Sequence, residues 1–254
     1  MKKFIAAGLA LCMAFMLAAC GASPSSTASQ AGSGTSAAAD GSAVTIKLGG
    51  IGPITGSTAV YGEAVMNGAQ IAVDEINASD SAVKFEYNFQ DDEGDAETAV
   101  NAYNILKDWG MQVLMGTVTT APCLAVISET EADNMFQITP SASSTDVIVP
   151  DNVFQVCFTD PNQGVSAADY IADNGLATKV AAIYDSSDAY SSGIYNAFAA
   201  EAEAKGLEIV CAEAFTADNK TDFRTQLQKA QSAGADLVFL PIYYQEAALI
   251  LTQA

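Results

Sequence analysis

From Val44 onward, short apolar runs alternate with longer segments of helical period, and turn residues separate them. Val44-Thr45-Ile46-Lys47-Leu48 reads as a strand, and Val65, Ala69, Ala72 and Ile76 then share one face of a predicted helix. Val83 to Gln90 is a second strand. Asp95 follows as a predicted N-cap, with Ala99, Tyr103 and Leu106 on one helical stripe and Gly110 as the stop. Val113-Leu114-Met115 and Phe136-Gln137-Ile138 bracket a helix around Leu124 to Glu131. This strand-helix rhythm predicts a parallel sheet covered on both faces, because parallel strands need crossover helices.

The rhythm restarts after a strand at Val153 to Phe158. Asp160-Pro161 predicts an N-cap with proline at the first helical position, and Gly175 closes that helix. Lys179 to Tyr184 is a strand, a helix near Tyr190 carries Ile194 and Phe198, and Gly206 stops it. Strand Leu207 to Ala212, a helix through Phe223, Leu227 and Ala230, Gly234 and strand Asp236 to Leu240 complete a second α/β unit. The expected organisation is a first lobe at 44–158 and a second at 159–254. The last segment, Gln245 to Ala254, reads as a helix with no stop glycine, which predicts that the natural product continues past Ala254.

The residues before Val44 follow another pattern. Met1-Lys2-Lys3, the apolar stretch Phe4 to Leu17 and Leu17-Ala18-Ala19-Cys20 form a predicted signal peptide over 1–19 that resembles a bacterial lipobox, with Cys20 as the lipidated residue. Residues 20–43 are almost entirely Ser, Ala, Gly and Thr after that cysteine, too poor in large apolar groups to fold, and predict a tether with an end-to-end distance of roughly 26 Å.

Composition narrows the chemistry. The 254 residues contain no histidine, 10 Lys+Arg and 30 Asp+Glu, for a formal net charge of −20. Without imidazole there is no Ser-His-Asp or Cys-His pair and no HExxH metal site. The acidic balance argues against nucleic acid, which needs a basic patch. The wide spacing of Cys123, Cys157 and Cys211 resembles neither a disulfide framework nor a zinc site; small core residues are the expected reading, with one disulfide left open.

In open parallel sheets, ligands sit beyond the carboxyl ends of strands. Four such places carry candidate groups: Gly116-Thr117-Val118-Thr119-Thr120, Thr139-Pro140-Ser141-Ala142-Ser143-Ser144, Tyr190, and Tyr243 with Tyr244. Hydroxyls and amides at a helix start suit a carboxylate, although Ser and Thr there also serve as plain helix caps. Gly49-Gly50-Ile51-Gly52-Pro53-Ile54-Thr55-Gly56 fails the dinucleotide spacing, and Pro53 removes an amide. Asp91-Asp92-Glu93-Gly94-Asp95 lacks the EF-hand glycine and glutamate positions and reads as a solvated loop.

Ile46-Lys47-Leu48-Gly49-Gly50-Ile51-Gly52-Pro53-Ile54-Thr55-Gly56, Tyr61-Gly62, Asn67-Gly68-Ala69, Asp74-Glu75-Ile76-Asn77, Asp91-Asp92, Ile138-Thr139-Pro140-Ser141-Ala142 and Thr221-Asp222-Phe223, in that order behind a lipobox and tether, resemble the branched-chain amino-acid-binding proteins of ABC importers. The resemblance implies two Rossmann-like lobes with parallel sheets joined by a hinge, the type I periplasmic-binding-protein fold, with its C-terminal part missing here. It implies that Thr120, beside Thr119, holds a ligand carboxylate, and that the turn of Ser141, Ala142 and Ser143 contacts carboxylate and ammonium. Tyr61, Val118, Tyr190 and Tyr243 would line the cleft. The family's acidic partner for the ammonium group would lie beyond Ala254.

The function expected is a monomeric, non-catalytic, lipid-anchored extracytoplasmic receptor. It would deliver a branched-chain or other apolar amino acid, or a similar small carboxylate, to an ABC permease, without cofactor or metal. A ligand-sensing lipoprotein of the same fold is the main alternative, and a carboxylate-dependent extracellular hydrolase a third.

Overall fold

The computed structural model describes residues 43–254. The signal, Cys20 and nearly all of the tether lie outside those residues. Strands β1 (Val44–Gly52), β2 (Val83–Asp91), β3 (Val113–Met115), β4 (Gln137–Thr139) and β5 (Val153–Gln155) form one sheet in the order β2-β1-β3-β4-β5, with every pair parallel. Between them run α1 (Ala59–Ala78), α2 (Ala96–Trp109) and α3 (Thr120–Asp133). Then α4 (Asp160–Asp173) leads to a second parallel sheet of β6 (Lys179–Asp185), β7 (Glu208–Phe215) and β8 (Leu237–Phe239), ordered β7-β6-β8. Helices α5 (Ala189–Lys205), α6 (Arg224–Ser232) and α7 (Tyr244–Gln253) complete it.

Each sheet has its own apolar core. In the first, Ala99, Tyr103 and Leu106 of α2 are buried with Ile51, Leu114 and Val126, which is the stripe expected from the sequence. Asp95 caps α2 by accepting from the Thr98 amide at 2.9 Å, and Gly110 ends it with φ 88°. In the second, Phe198 of α5 is fully buried and stacks on Phe239 with ring centroids 4.0 Å apart. Burying such a ring contributes roughly 1.5–3 kcal/mol. Gly206 ends α5 with φ 75°, a conformation that costs glycine little.

The glycine run of β1 has a packing role. A Cβ on Gly49 would lie 2.1 Å from Met111 Sδ, and one on Gly50 2.4 Å from the Phe89 ring. These glycines let neighbouring side chains cover the strand, which is a different use from cradling a phosphate. The acidic loop binds backbone: Asp91 accepts from the Ile54 and Glu93 amides at 2.9 Å, and Asp92, buried rather than solvated, accepts from the Gly94 amide at 2.9 Å and leaves its Oδ2 unpaired.

Several local expectations shift. On α1, Val73 is buried and Ala72 is exposed, because the larger side chain faces the sheet while Val65, Ala69 and Ile76 stay half-buried. Strand β5 stops at Gln155 rather than Phe158, leaving Val156 and Phe158 exposed. The cap of α4 is Thr159, which accepts from the Asn162 amide at 3.4 Å, so Asp160 lies inside the first turn. Of the three described cysteines, all free thiols, Cys123 is buried and Cys157 and Cys211 are half-buried. Burial pushes the Cys123 thiol up to about 11.

Candidate functional site

Both sheets change strand order at their first strand, with β1 flanked by β2 and β3 and β6 by β7 and β8. Such switch points open a crevice at the carboxyl ends of the strands. In the first sheet the crevice is bordered by the segment after β3, which a chain of buried polar groups fixes. Thr130 Oγ1 donates to Gln137 Oε1 at 2.7 Å, Gln137 Nε2 to the Gly116 carbonyl at 2.7 Å, and Thr139 Oγ1 to the Thr117 carbonyl at 2.7 Å. The hydroxyl of Thr117 is likewise spent, donating to the Thr119 carbonyl at 3.0 Å.

Two hydroxyls of this segment are not spent. Thr119 occupies the N-cap position of α3 without a side-chain capping bond, and Thr120 is the first helical residue. Their Oγ1 atoms are buried and have no hydrogen-bond partner. A buried hydroxyl left unpaired costs about 1–3 kcal/mol, so the plain-cap reading fails here for both. They stand at the end of a helix whose free amides carry partial positive charge. The arrangement is suited to accept an anionic group.

Thr119 and Thr120 border a cavity of about 340 Å³. Tyr61, Val118, Ser141, Ser143, Tyr190 and Tyr243 border it too, so eight of the nine expected ligand contacts come together. The ninth, Ala142, is buried outside this lining; its amide donates to Thr139 Oγ1 at 3.0 Å and is therefore not free. Ser141 is present, but its proton goes to the Val118 carbonyl at 2.6 Å. Ser143 takes a long contact from Gln163 Nε2, at 3.5 Å, and its side chain also interacts with the Asp160 carboxyl.

Three lining residues were not foreseen: Cys157, Phe158 and Gln163. The first two were assigned to a strand and a core. Gln163 sits in the first turn of α4, so a helix start following a strand was the signal that could have found it.

The facing wall is aromatic. Tyr190 in the first turn of α5 stacks on Tyr243 with centroids 4.8 Å apart and planes 14° from parallel. Tyr61 of α1 reaches across the cleft, 5.7 Å from Tyr243, and its hydroxyl accepts from the Tyr244 amide at 3.2 Å. Burial pushes Tyr190 up to about 12 and Tyr243 well above its ordinary value, so both stay protonated donors at neutral pH. Below them Asp160 is buried, with Oδ2 unpaired, and burial raises its carboxyl to about 6. Among the described residues no group of His, Cys, Asp and Glu is arranged to hold a metal ion.

The model of a family described as periplasmic binding proteins matches residues 45–254. The chain belongs to the periplasmic binding protein family. Relatives of this periplasmic binding protein include the Leu/Ile/Val-binding protein homolog 3 of Brucella melitensis, 33% identical over 212 residues that make up 82% of this chain and 57% of the relative. A leucine-binding protein of Thermotoga maritima superposes with a TM-score of 0.76 at 29% identity, over 82% of this chain and 59% of that one. The branched-chain amino acid transporter substrate-binding protein of Streptococcus pneumoniae, solved with isoleucine, gives 0.77 at 31%, over 83% and 60%. The chain thus spans about 57% of the length of the curated relatives it matches first. The parallel α/β architecture is that of type I periplasmic binding proteins, and the resemblance read from the motifs holds.

Proposed function

We propose that this protein is the extracytoplasmic solute receptor of an ABC importer, and that it binds an amino acid or similar small carboxylate between its two lobes. The observation that carries this reading is the pair of buried, unpaired hydroxyls of Thr119 and Thr120 at the start of α3, two residues that line a cavity walled by Tyr61, Tyr190 and Tyr243. Its volume, about 340 Å³, lies in the range of small-molecule sites, roughly 300–1,000 Å³. The carboxylate takes the two hydroxyls and the α3 amides; Ser143 and Gln163 flank it. The apolar part of the ligand rests on Val118, Phe158 and the tyrosine rings. Similarity to proteins named for leucine, isoleucine and valine supports an amino-acid ligand.

A receptor of this kind needs opposed polar groups and no activated nucleophile, which agrees with a histidine-free chain and favours binding over hydrolysis. In this reading a signal peptide is removed before Cys20, whose lipid holds the protein at the outer face of the membrane beside its permease. No described helix is long and apolar enough to cross a membrane. The deciding experiment is calorimetric titration with leucine, isoleucine, valine and their deaminated carboxylates. Saturable binding that Thr119→Val and Thr120→Val both weaken supports the proposal. Binding of none of these compounds, or binding indifferent to both substitutions, overturns it.

A further inference from the structure

Beside the cleft lies a second cavity of about 210 Å³ that shares Thr119 and Tyr243 with it. Its charged lining is unbalanced. Glu93 contributes from the first sheet's side and Asp185, Asp188 and Glu246 from the second's, against Lys220 alone. The Lys220 ammonium lies 3.4 Å from Glu246 Oε1, so its charge is directed at that one carboxylate. Asp185 accepts from the Ser187 amide at 2.8 Å and hydroxyl at 2.6 Å, and Asp188 from the Ser191 amide at 3.4 Å as the cap of α5. Neutral dipoles of this kind orient a carboxylate without cancelling its charge.

A separate observation points to a ligand in the same place. Thr58 and Thr119, each 7% exposed, line this cavity, and the hydroxyl oxygen of each has no hydrogen-bond partner. Carboxylates only accept, and each hydroxyl oxygen keeps lone pairs that accept, that of Thr119 even while its proton goes to the ligand carboxylate. What satisfies them together is a group with several donors, no acceptor and positive charge, which describes an ammonium.

We infer that the second cavity is a subsite for a positively charged side chain of the ligand, so that the receptor selects basic amino acids over apolar ones of the same length. This deepens the carboxylate-binding reading of the cleft and rests on it. With the carboxylate at Thr119 and Thr120, the α-ammonium is joined to it through a single carbon and stays in the first cavity. Only a group at the end of a side chain reaches past Thr119 and Tyr243 to Asp188 and Asp185, its aliphatic stem lying against the Tyr243 ring. The crowding of acids agrees: burial, with repulsion from Asp185 and Glu246, raises the Asp188 carboxyl to about 6, a cost that a bound cation relieves.

The test compares L-lysine with L-norleucine, which differ only by the terminal amine, in calorimetric titrations of the full chain. Lysine should bind more tightly by at least about tenfold, as expected for a hydrogen-bonded charge. In Asp188→Asn that ratio should collapse by about the same factor; asparagine caps a helix as well as aspartate does, so the fold is retained, and a thermal melt verifies it. Norleucine binding as tightly as lysine, or a ratio unaltered in Asp188→Asn, overturns the subsite and leaves the carboxylate reading standing. Failure of both amino acids to bind overturns both.

Discussion

Replacing Thr120 by valine removes one hydroxyl and keeps the shape of the side chain, which separates two roles that its position at a helix start would otherwise blur. If Thr120 were a cap, its loss would destabilise the protein by about 1 kcal/mol and leave affinity intact. The structure argues for the reverse. Its Oγ1 is buried and makes no hydrogen bond, and the residue, 1% exposed, borders the cleft. Removing an unpaired buried hydroxyl relieves a desolvation cost, so the ligand-free variant should be as stable as the parent or more so, by up to about 1 kcal/mol. In the proposed complex the same hydroxyl would donate to a carboxylate, and a hydrogen bond to a charged group contributes roughly 1.5–3 kcal/mol. Affinity should therefore fall about ten- to a hundredfold. Thermal melts without ligand and titrations with it give both quantities on one preparation. A lowered melting temperature beside an unchanged dissociation constant would refute the assignment and restore the cap.

Two further predictions follow from groups away from the cleft. Burial raises Asp92 to about 7, with Asp91 and Asp95 adding repulsion against one amide hydrogen bond from Gly94. Because the folded protein binds that proton more tightly than the unfolded chain does, stability from this group is greatest near pH 4 and is lost as pH rises through about 7. Asp92→Asn should accordingly raise the melting temperature at pH 8 and flatten its change between pH 8 and 5; an unaltered profile counts against a buried, protonated Asp92. On α1, a Cβ at Gly62 would lie 1.8 Å from the Pro53 carbonyl oxygen, while one at Gly68 meets nothing within 4 Å. Gly62→Ala should destabilise by at least about 1–3 kcal/mol and Gly68→Ala should stabilise by roughly 0.5–1 kcal/mol, both read by denaturant titration, and equal effects would show that α1 does not approach Pro53 so closely.

Much of this molecule was legible before its structure, because its signals are local. Asp95 and Gly110 bound α2 through bonds within a turn of themselves, and Ala99, Tyr103 and Leu106 face one way because a helix repeats every 3.6 residues. The alternation of strands and helices specified parallel sheets, and parallel sheets direct attention to the residues after each strand. Those rules pointed to the stretches after β3 and β4, 116–120 and 139–144, and to Tyr190 and Tyr243 without any knowledge of distance, and the family resemblance picked Thr120, Ser141 and Ser143 out of them. What they could not settle was which polar groups are free. Thr117, Thr119, Ser141 and Ser143 look alike in sequence, yet Thr117 and Ser141 give their protons to nearby carbonyls while Thr119 is left unpaired. That outcome depends on how β3 and β4 lie against each other. Burial likewise turned Val73 rather than Ala72 to the sheet, and ending β5 early brought Cys157 and Phe158 to the cleft. The acidic cavity joins Glu93, Asp188 and Glu246, which no spacing rule links. Periodicity and capping act within a few residues and are written in the chain, whereas desolvation and competition for hydrogen-bond partners act between segments and exist only once those segments have packed.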